Sequence, residues 1–287
     1  MFKQFKEKFY LCNQHLNSVK QLKQEQNQVP NMKALDFAAT AICAALYFVV
    51  GYITSFGFTL GGVAFWPAAF IPAVFAVLFG PWVGGIGAAV GIFIRDIFFH
   101  GDPLLSLTAG VTANFVVFFL IGYLTKTKMS RKKTLTALIL GIGVVLAGLL
   151  LPTVFLPAES TAFTTFSTQL TLALFSVSMA VSVFLFLLIS RQWPEFRSFG
   201  IAAIISQSIG AAIVAIAVFG YSQFFFGEGQ YFSTGPIPAT FVPIVFIWTF
   251  VTEIPFVLLI SPVLIRVGYL AFPFLRKSQQ NQIKANP

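Results

Sequence analysis

Residues 65–96 read FWPAAFIPAVFAVLFGPWVGGIGAAVGIFIRD, with no Lys, Arg, Asp or Glu before Arg95. Two apolar stretches, Pro67–Gly80 and Val83–Phe99, meet at Gly80, Pro81 and Trp82. Each is short for a hydrocarbon core about 30 Å thick, which takes roughly 20 helical residues to cross. Read as one unit they form a single kinked helix; read as two they form a hairpin. The choice decides which side of a membrane every later loop occupies.

Composition establishes the membrane. The chain is 57% hydrophobic and only 9% charged, unlike a soluble domain. Its apolar runs lack the alternation of barrel strands, so they read as helices. The expected fold is all-α, a polytopic transmembrane bundle of about eight spans. Those spans are Ala34–Phe56, Pro67–Gly80, Val83–Phe99, Leu104–Leu124, Leu135–Leu156, Phe166–Ile189, Phe199–Tyr221 and Ala239–Ile265. They make a transmembrane domain over 34–268, between a basic tail (1–33) and a C-terminal tail (269–287).

Basic residues choose the hairpin. With two helices over Pro67–Phe99, the N-terminus, 125–134, 190–198 and the C-terminal region share one side. They carry every Lys and Arg except Arg95. With one helix, the TKTKMSRKK cluster at 125–133 moves away from the N-terminal lysines. The positive-inside rule favours the first arrangement, with both termini cytoplasmic in a multi-pass cell-membrane protein. The outer side then holds GFTLGGVAFW (57–66), RDIFFHGDP (95–103), the Glu159 loop and the Glu228–Pro238 loop, the last long enough to act as a lid.

The N-terminal tail has no signal-peptide core. Phe5, Phe9, Cys12, Leu16, Val19 and Leu22 recur at helical spacing among lysines. That pattern fits an amphipathic helix on the inner membrane surface and equally a solvated tail. Cys12 and Cys43 are not expected to form a disulfide.

Enzyme signatures are missing. There is no phosphate-cradling G-x-x-x-x-G-K-[ST], no H-E-x-x-H and no G-x-S-x-G. With two histidines, a metal site is not expected. No catalytic residue, cofactor or nucleic-acid partner is expected. GGIGAAVG (84–91) starts a membrane helix with no strand before it, so its small residues serve close helix packing. In the first span Ala34, Ala38, Ala41 and Ala45 line one face, suited to contact with another helix inside or outside the bundle.

Polar residues in apolar surroundings are the candidate site. Asp96 and His100 are four apart and share a helix face, with Arg95 beside them. The cluster fits a surface cap or the polar wall of a pocket. Trp66 lies at the same level, fitting an interfacial belt or stacking on a flat ligand. Glu253 sits deep in the last span, where a carboxylate costs about 2.5–3.5 kcal/mol or more unless it faces the interior. Asn114 and Gln207 are further intramembrane polar groups, each suited to joining helices. Trp66, Arg95, Asp96, His100, Asn114 and Glu253 form the candidate substrate-binding set.

The stretch Phe65–Asp96 resembles the substrate-binding S components of energy-coupling-factor (ECF) transporters. Those carry a Pro-rich second helix, then LFGP, then a Gly/Ala-rich third helix ending in an acidic residue. The resemblance covers residues 34–126. It implies capture of a vitamin or related micronutrient at the external face. It also implies ATP-driven uptake by a transmembrane T component and ATPase subunits, with the alanine stripe as the docking face. The chain departs from the family's usual six helices by about two. The competing reading is a membrane-embedded sensory or anchoring module, which usually precedes a cytoplasmic output domain; only a short tail follows Ala271 here.

Overall fold

The computed structural model describes residues 32–55, 59–60, 63–126, 136, 139, 143, 168–227, 232 and 235–275. The chain divides into two compact units, Met1–Ala38 and Ala39–Pro287. Of the first, only the opening turns of one helix are described. The tail at 1–31 and the C-terminal residues after 275 lie outside the described residues, so the amphipathic reading of the former is not addressed.

Seven helices form the described bundle. They are α1 (Met32–Thr54), α2 (Pro67–Leu78, opening as a 3-10 turn), α3 (Pro81–Phe99), α4 (Pro103–Thr125), α5 (Thr168–Gln192), α6 (Arg197–Phe224) and α7 (Val242–Ala271). Five stretches are long and apolar enough to cross a membrane: Ala34–Thr54, Pro81–Phe99, Pro103–Thr125, Pro194–Phe224 and Val242–Ala271. The expected span Leu135–Leu156 lies outside the described residues, apart from helical positions 136, 139 and 143. A two-residue ladder, β1 (Thr59–Leu60) with β2 (Val63–Ala64), leads from α1 towards α2.

Pro67–Phe99 is two helices. Gly80 has φ +122°, a region that L side chains avoid and glycine enters freely, and Pro81 then starts α3. The α2 and α3 helices pack on each other, which a single kinked helix could not do.

Small residues set how closely the helices meet. A Cβ at Gly87 would lie 2.7 Å from Cys43 Sγ, and one at Gly91 would lie 2.7 Å from the Ala44 carbonyl oxygen. The face of α1 that meets α3 therefore carries Ala39, Cys43, Ala44 and Tyr47, all buried. Ala34, Ala38, Ala41 and Ala45 lie elsewhere on α1 and are exposed. Further on, α4 packs chiefly on α3 and α6, and α7 on α6, α2 and α5.

Candidate functional site

The turn HGDP (100–103) separates α3 from α4 by local chemistry. His100 ends α3, and Gly101 takes φ +72°, as a helix C-terminus favours. Asp102 then caps α4, accepting from the backbone N–H groups of Leu104 (3.0 Å) and Leu105 (3.1 Å), with Pro103 at the first position. Tyr221 Oη donates to Asp102 Oδ2 at 2.5 Å, tying this turn to the end of α6. Directly after the cap, Ser106–Val111 runs as a π-helical segment before α-geometry resumes at Thr112. Such segments re-aim side chains and are frequent at functional sites.

The re-aimed face carries Ser106, Gly110 and Asn114. Ser106 Oγ donates to Asp96 Oδ2 at 2.8 Å. Gly110 lies so near that a Cβ there would stand 2.6 Å from the same carboxylate oxygen. The carboxylate's other oxygen accepts from Arg95 Nη1 at 3.1 Å. His100 Nε2 is 3.8 Å from that oxygen, while its Nδ1 accepts from the Asp102 backbone N–H. Arg95 is buried, with its guanidinium 3.9 Å from the Phe99 ring centre and 4.7 Å from that of Trp66. Each such cation–π contact contributes about 0.5–2 kcal/mol.

A second chain of hydrogen bonds starts at Trp66. Its Nε1 donates to Tyr47 Oη at 2.6 Å, and Tyr47 Oη donates to Asn114 Oδ1 at 2.5 Å. Asn114 Nδ2 donates to the Gly110 carbonyl at 2.8 Å. Asn114 thus joins α1 to α4 as the sequence suggested, and borders a cavity as well. Across the cavity, Gln207 Nε2 on α6 donates to Glu253 Oε2 on α7 at 2.8 Å. The Gln207 amide of α6 and the Glu253 carboxyl of α7 are therefore partners.

These groups border one cavity that is open in part to the exterior. Trp66, Arg95, Asp96, His100, Asn114 and Glu253 all line it, brought together from the first loop, α3, α4 and α7. Ile92, Val214, Val218 and Phe232 supply apolar wall. Phe232 belongs to the loop read as a lid and bridges to Phe226 through the backbone.

Arg95 lines the cavity beside Asp96, as the candidate set had it, and burial decides between the two readings of Trp66. Trp66 is only 4% exposed, because Gly51 lets α1 approach its ring and its N–H is bonded internally; it is a wall residue and not a belt residue. Trp82, at the start of α3, is by contrast 61% exposed, as an interfacial belt residue is. Tyr47, Ser106 and Tyr221 escaped the sequence reading. A tyrosine hydroxyl inside an apolar span must find a partner, and that was the available signal for Tyr47 and Tyr221. Ser106 had none, because the π segment that aims it has no periodic signature.

Some polar atoms stay unpaired. Arg95 Nε and Nη2 and Gln207 Oε1 are buried without a hydrogen-bond partner among the described residues. An orphaned buried donor costs about 1–3 kcal/mol, and more when charged. Among the described residues, no group of three or more His, Cys, Asp or Glu side chains is placed to hold a metal ion.

Comparison with curated proteins and with solved structures gives no match. The sequence model of one family, described as ECF-type riboflavin transporter, S component, matches residues 31–191, more than half of the 287-residue chain. The matched stretch holds five of the six cavity residues in the candidate set; Glu253 follows it. The helical bundle, the Pro-rich α2, the glycine-packed α3 and this match agree, and the chain belongs to the S-component family of ECF-type riboflavin transporters, multi-pass membrane proteins of a non-enzymatic class.

Proposed function

We propose that the chain binds riboflavin, or a vitamin built on the same ring, in the cavity bordered by Trp66, Arg95, Asp96, His100, Asn114 and Glu253. One observation carries the reading: polar residues far apart in sequence converge on a single cavity in a chain of this family. The cavity combines apolar and aromatic walls with a few polar anchors, the usual make-up of a small-molecule site. A flat, largely uncharged tricyclic ring with a hydroxylated chain suits such a lining.

The basic-residue distribution supports placing the cavity mouth outside and both termini in the cytoplasm. No nucleotide-binding motif occurs in the sequence, so active uptake requires ATPase subunits and a transmembrane T component on other chains. The exposed positions Ala34, Ala38, Ala41 and Ala45 on α1 support close approach of such a partner helix.

The test is spectroscopic. Protein purified without added ligand from cells supplied with riboflavin is denatured, and the released solute is read by absorbance and fluorescence. A flavin in near-stoichiometric amount is the expected result. Absence of flavin, together with no quenching of riboflavin fluorescence on titration, contradicts the reading.

A further inference from the structure

The Arg95 guanidinium is oriented by three neighbours and leaves one edge unclaimed. Nη1 donates to Asp96 Oδ1 at 3.1 Å. The ring centres of Phe99 and Trp66 lie 3.9 and 4.7 Å from its central carbon. Nε and Nη2 are buried and have no hydrogen-bond partner among the described residues. Those two nitrogens form the side-on fork of a guanidinium, whose parallel N–H bonds match two adjacent acceptors in one plane. Arg95 borders the cavity, so a ligand that enters it lies beside the residue that carries the fork.

Charge decides what kind of acceptor pair suits it. Among the described residues lining the cavity, Arg95 is the one Lys or Arg, while Asp96 and Glu253 are both carboxylic. Asp96 already neutralises Arg95 across the ion pair. A carboxylate or phosphate would bring further negative charge into a buried site whose cation is spent. An uncharged edge carrying two neighbouring acceptors meets the fork without that penalty.

We propose that Arg95 Nε–H and Nη2–H bind an uncharged two-acceptor edge of a flat heteroaromatic ring. On the riboflavin reading, from which this follows, that edge is the ring's N1 with its C2 carbonyl, or N5 with its C4 carbonyl. Arg95 then sets specificity by hydrogen-bond count and selects the ring over its hydroxylated chain. A cation beside either edge also tunes the ring's electronics, as charges near N1 or N5 do in flavin sites.

The experiment titrates the full-length protein in detergent with riboflavin, 1-deazariboflavin, 5-deazariboflavin and the 5′-phosphate of riboflavin. Each deaza analogue replaces one ring nitrogen acceptor by C–H. Wild-type protein should bind one deaza analogue about tenfold or more weakly than riboflavin, and the other nearly as well as riboflavin. In Arg95→Gln that preference should shrink to within about threefold, because the fork is gone. Arg95→Lys should not restore it, since an ammonium has no fixed fork. Equal wild-type affinity for riboflavin and both analogues overturns the proposal without recourse to any variant. A preference that persists in Arg95→Gln also overturns it. Tighter binding of the phosphate than of riboflavin, lost in Arg95→Gln, shows an anionic partner and overturns the uncharged edge. Failure of wild-type protein to bind riboflavin overturns both this assignment and the reading beneath it, whereas riboflavin binding without the analogue preference removes this assignment alone.

Discussion

Asp96 holds two functions in one carboxylate, because it neutralises Arg95 and accepts from Ser106 while bordering the cavity. Removing one partner of a buried ion pair costs about 3–5 kcal/mol, while replacing both with neutral groups is often tolerated. Asp96→Asn should therefore lower the thermal midpoint in detergent markedly, despite its matching shape. The double variant Arg95→Met, Asp96→Asn should recover much of that loss while still failing to bind riboflavin. A double variant no more stable than Asp96→Asn would show that the pair is not what holds this region. Trp66 is bonded through Tyr47 to Asn114, so Tyr47→Phe removes a hydroxyl that both neighbours use. Riboflavin affinity should fall by about 1–3 kcal/mol in that variant, measured by fluorescence quenching, although Tyr47 is not among the cavity-lining residues.

Among the helices, the contact of α1 with α3 rests on glycine. A methyl at Gly91 would press on the Ala44 carbonyl and on Tyr47, which are backbone and an enclosed ring with little freedom to yield. Gly91→Ala should destabilise the protein by about 1–3 kcal/mol through overpacking. It should also weaken ligand binding, because Tyr47 would shift under Trp66. Gly143→Ala, with no atom of a described residue within 4 Å of an added Cβ, should change neither property. Both are read by thermal unfolding and titration. Helix positions were largely legible in the sequence, because uninterrupted apolar length and Pro/Gly punctuation at Gly80–Pro81 and Gly101–Pro103 are strong local signals. Glu253 was legible for a different reason, since hydrocarbon tolerates a carboxylate only where it faces inward, while Asp96 and His100 stood out by sharing a helix face with Arg95 beside them. The π segment at Ser106–Val111, the pairing of Gln207 with Glu253 and the supporting role of Tyr47 were not legible. Each depends on which helix faces which at one level, and periodicity within a single helix does not carry that information.

For the molecule as a whole, the proposed arrangement assigns different faces to ligand and partner. The cavity lies among α3, α4, α6 and α7, while the small-residue stripe of α1 is exposed. Ala41→Trp and Ala45→Trp should therefore leave riboflavin affinity of the isolated protein unchanged and cut uptake by cells containing the partner subunits at least about tenfold. Uptake at the normal rate would assign that face to lipid. Riboflavin in the cavity is tested most directly by an experimental structure determined with riboflavin bound. The account places the tricyclic ring in contact with Trp66, with a ring edge at Arg95 Nε and Nη2 and Glu253 within hydrogen-bond reach of the ligand. Ligand density outside this cavity, with Trp66, Arg95 and Glu253 untouched, would contradict it.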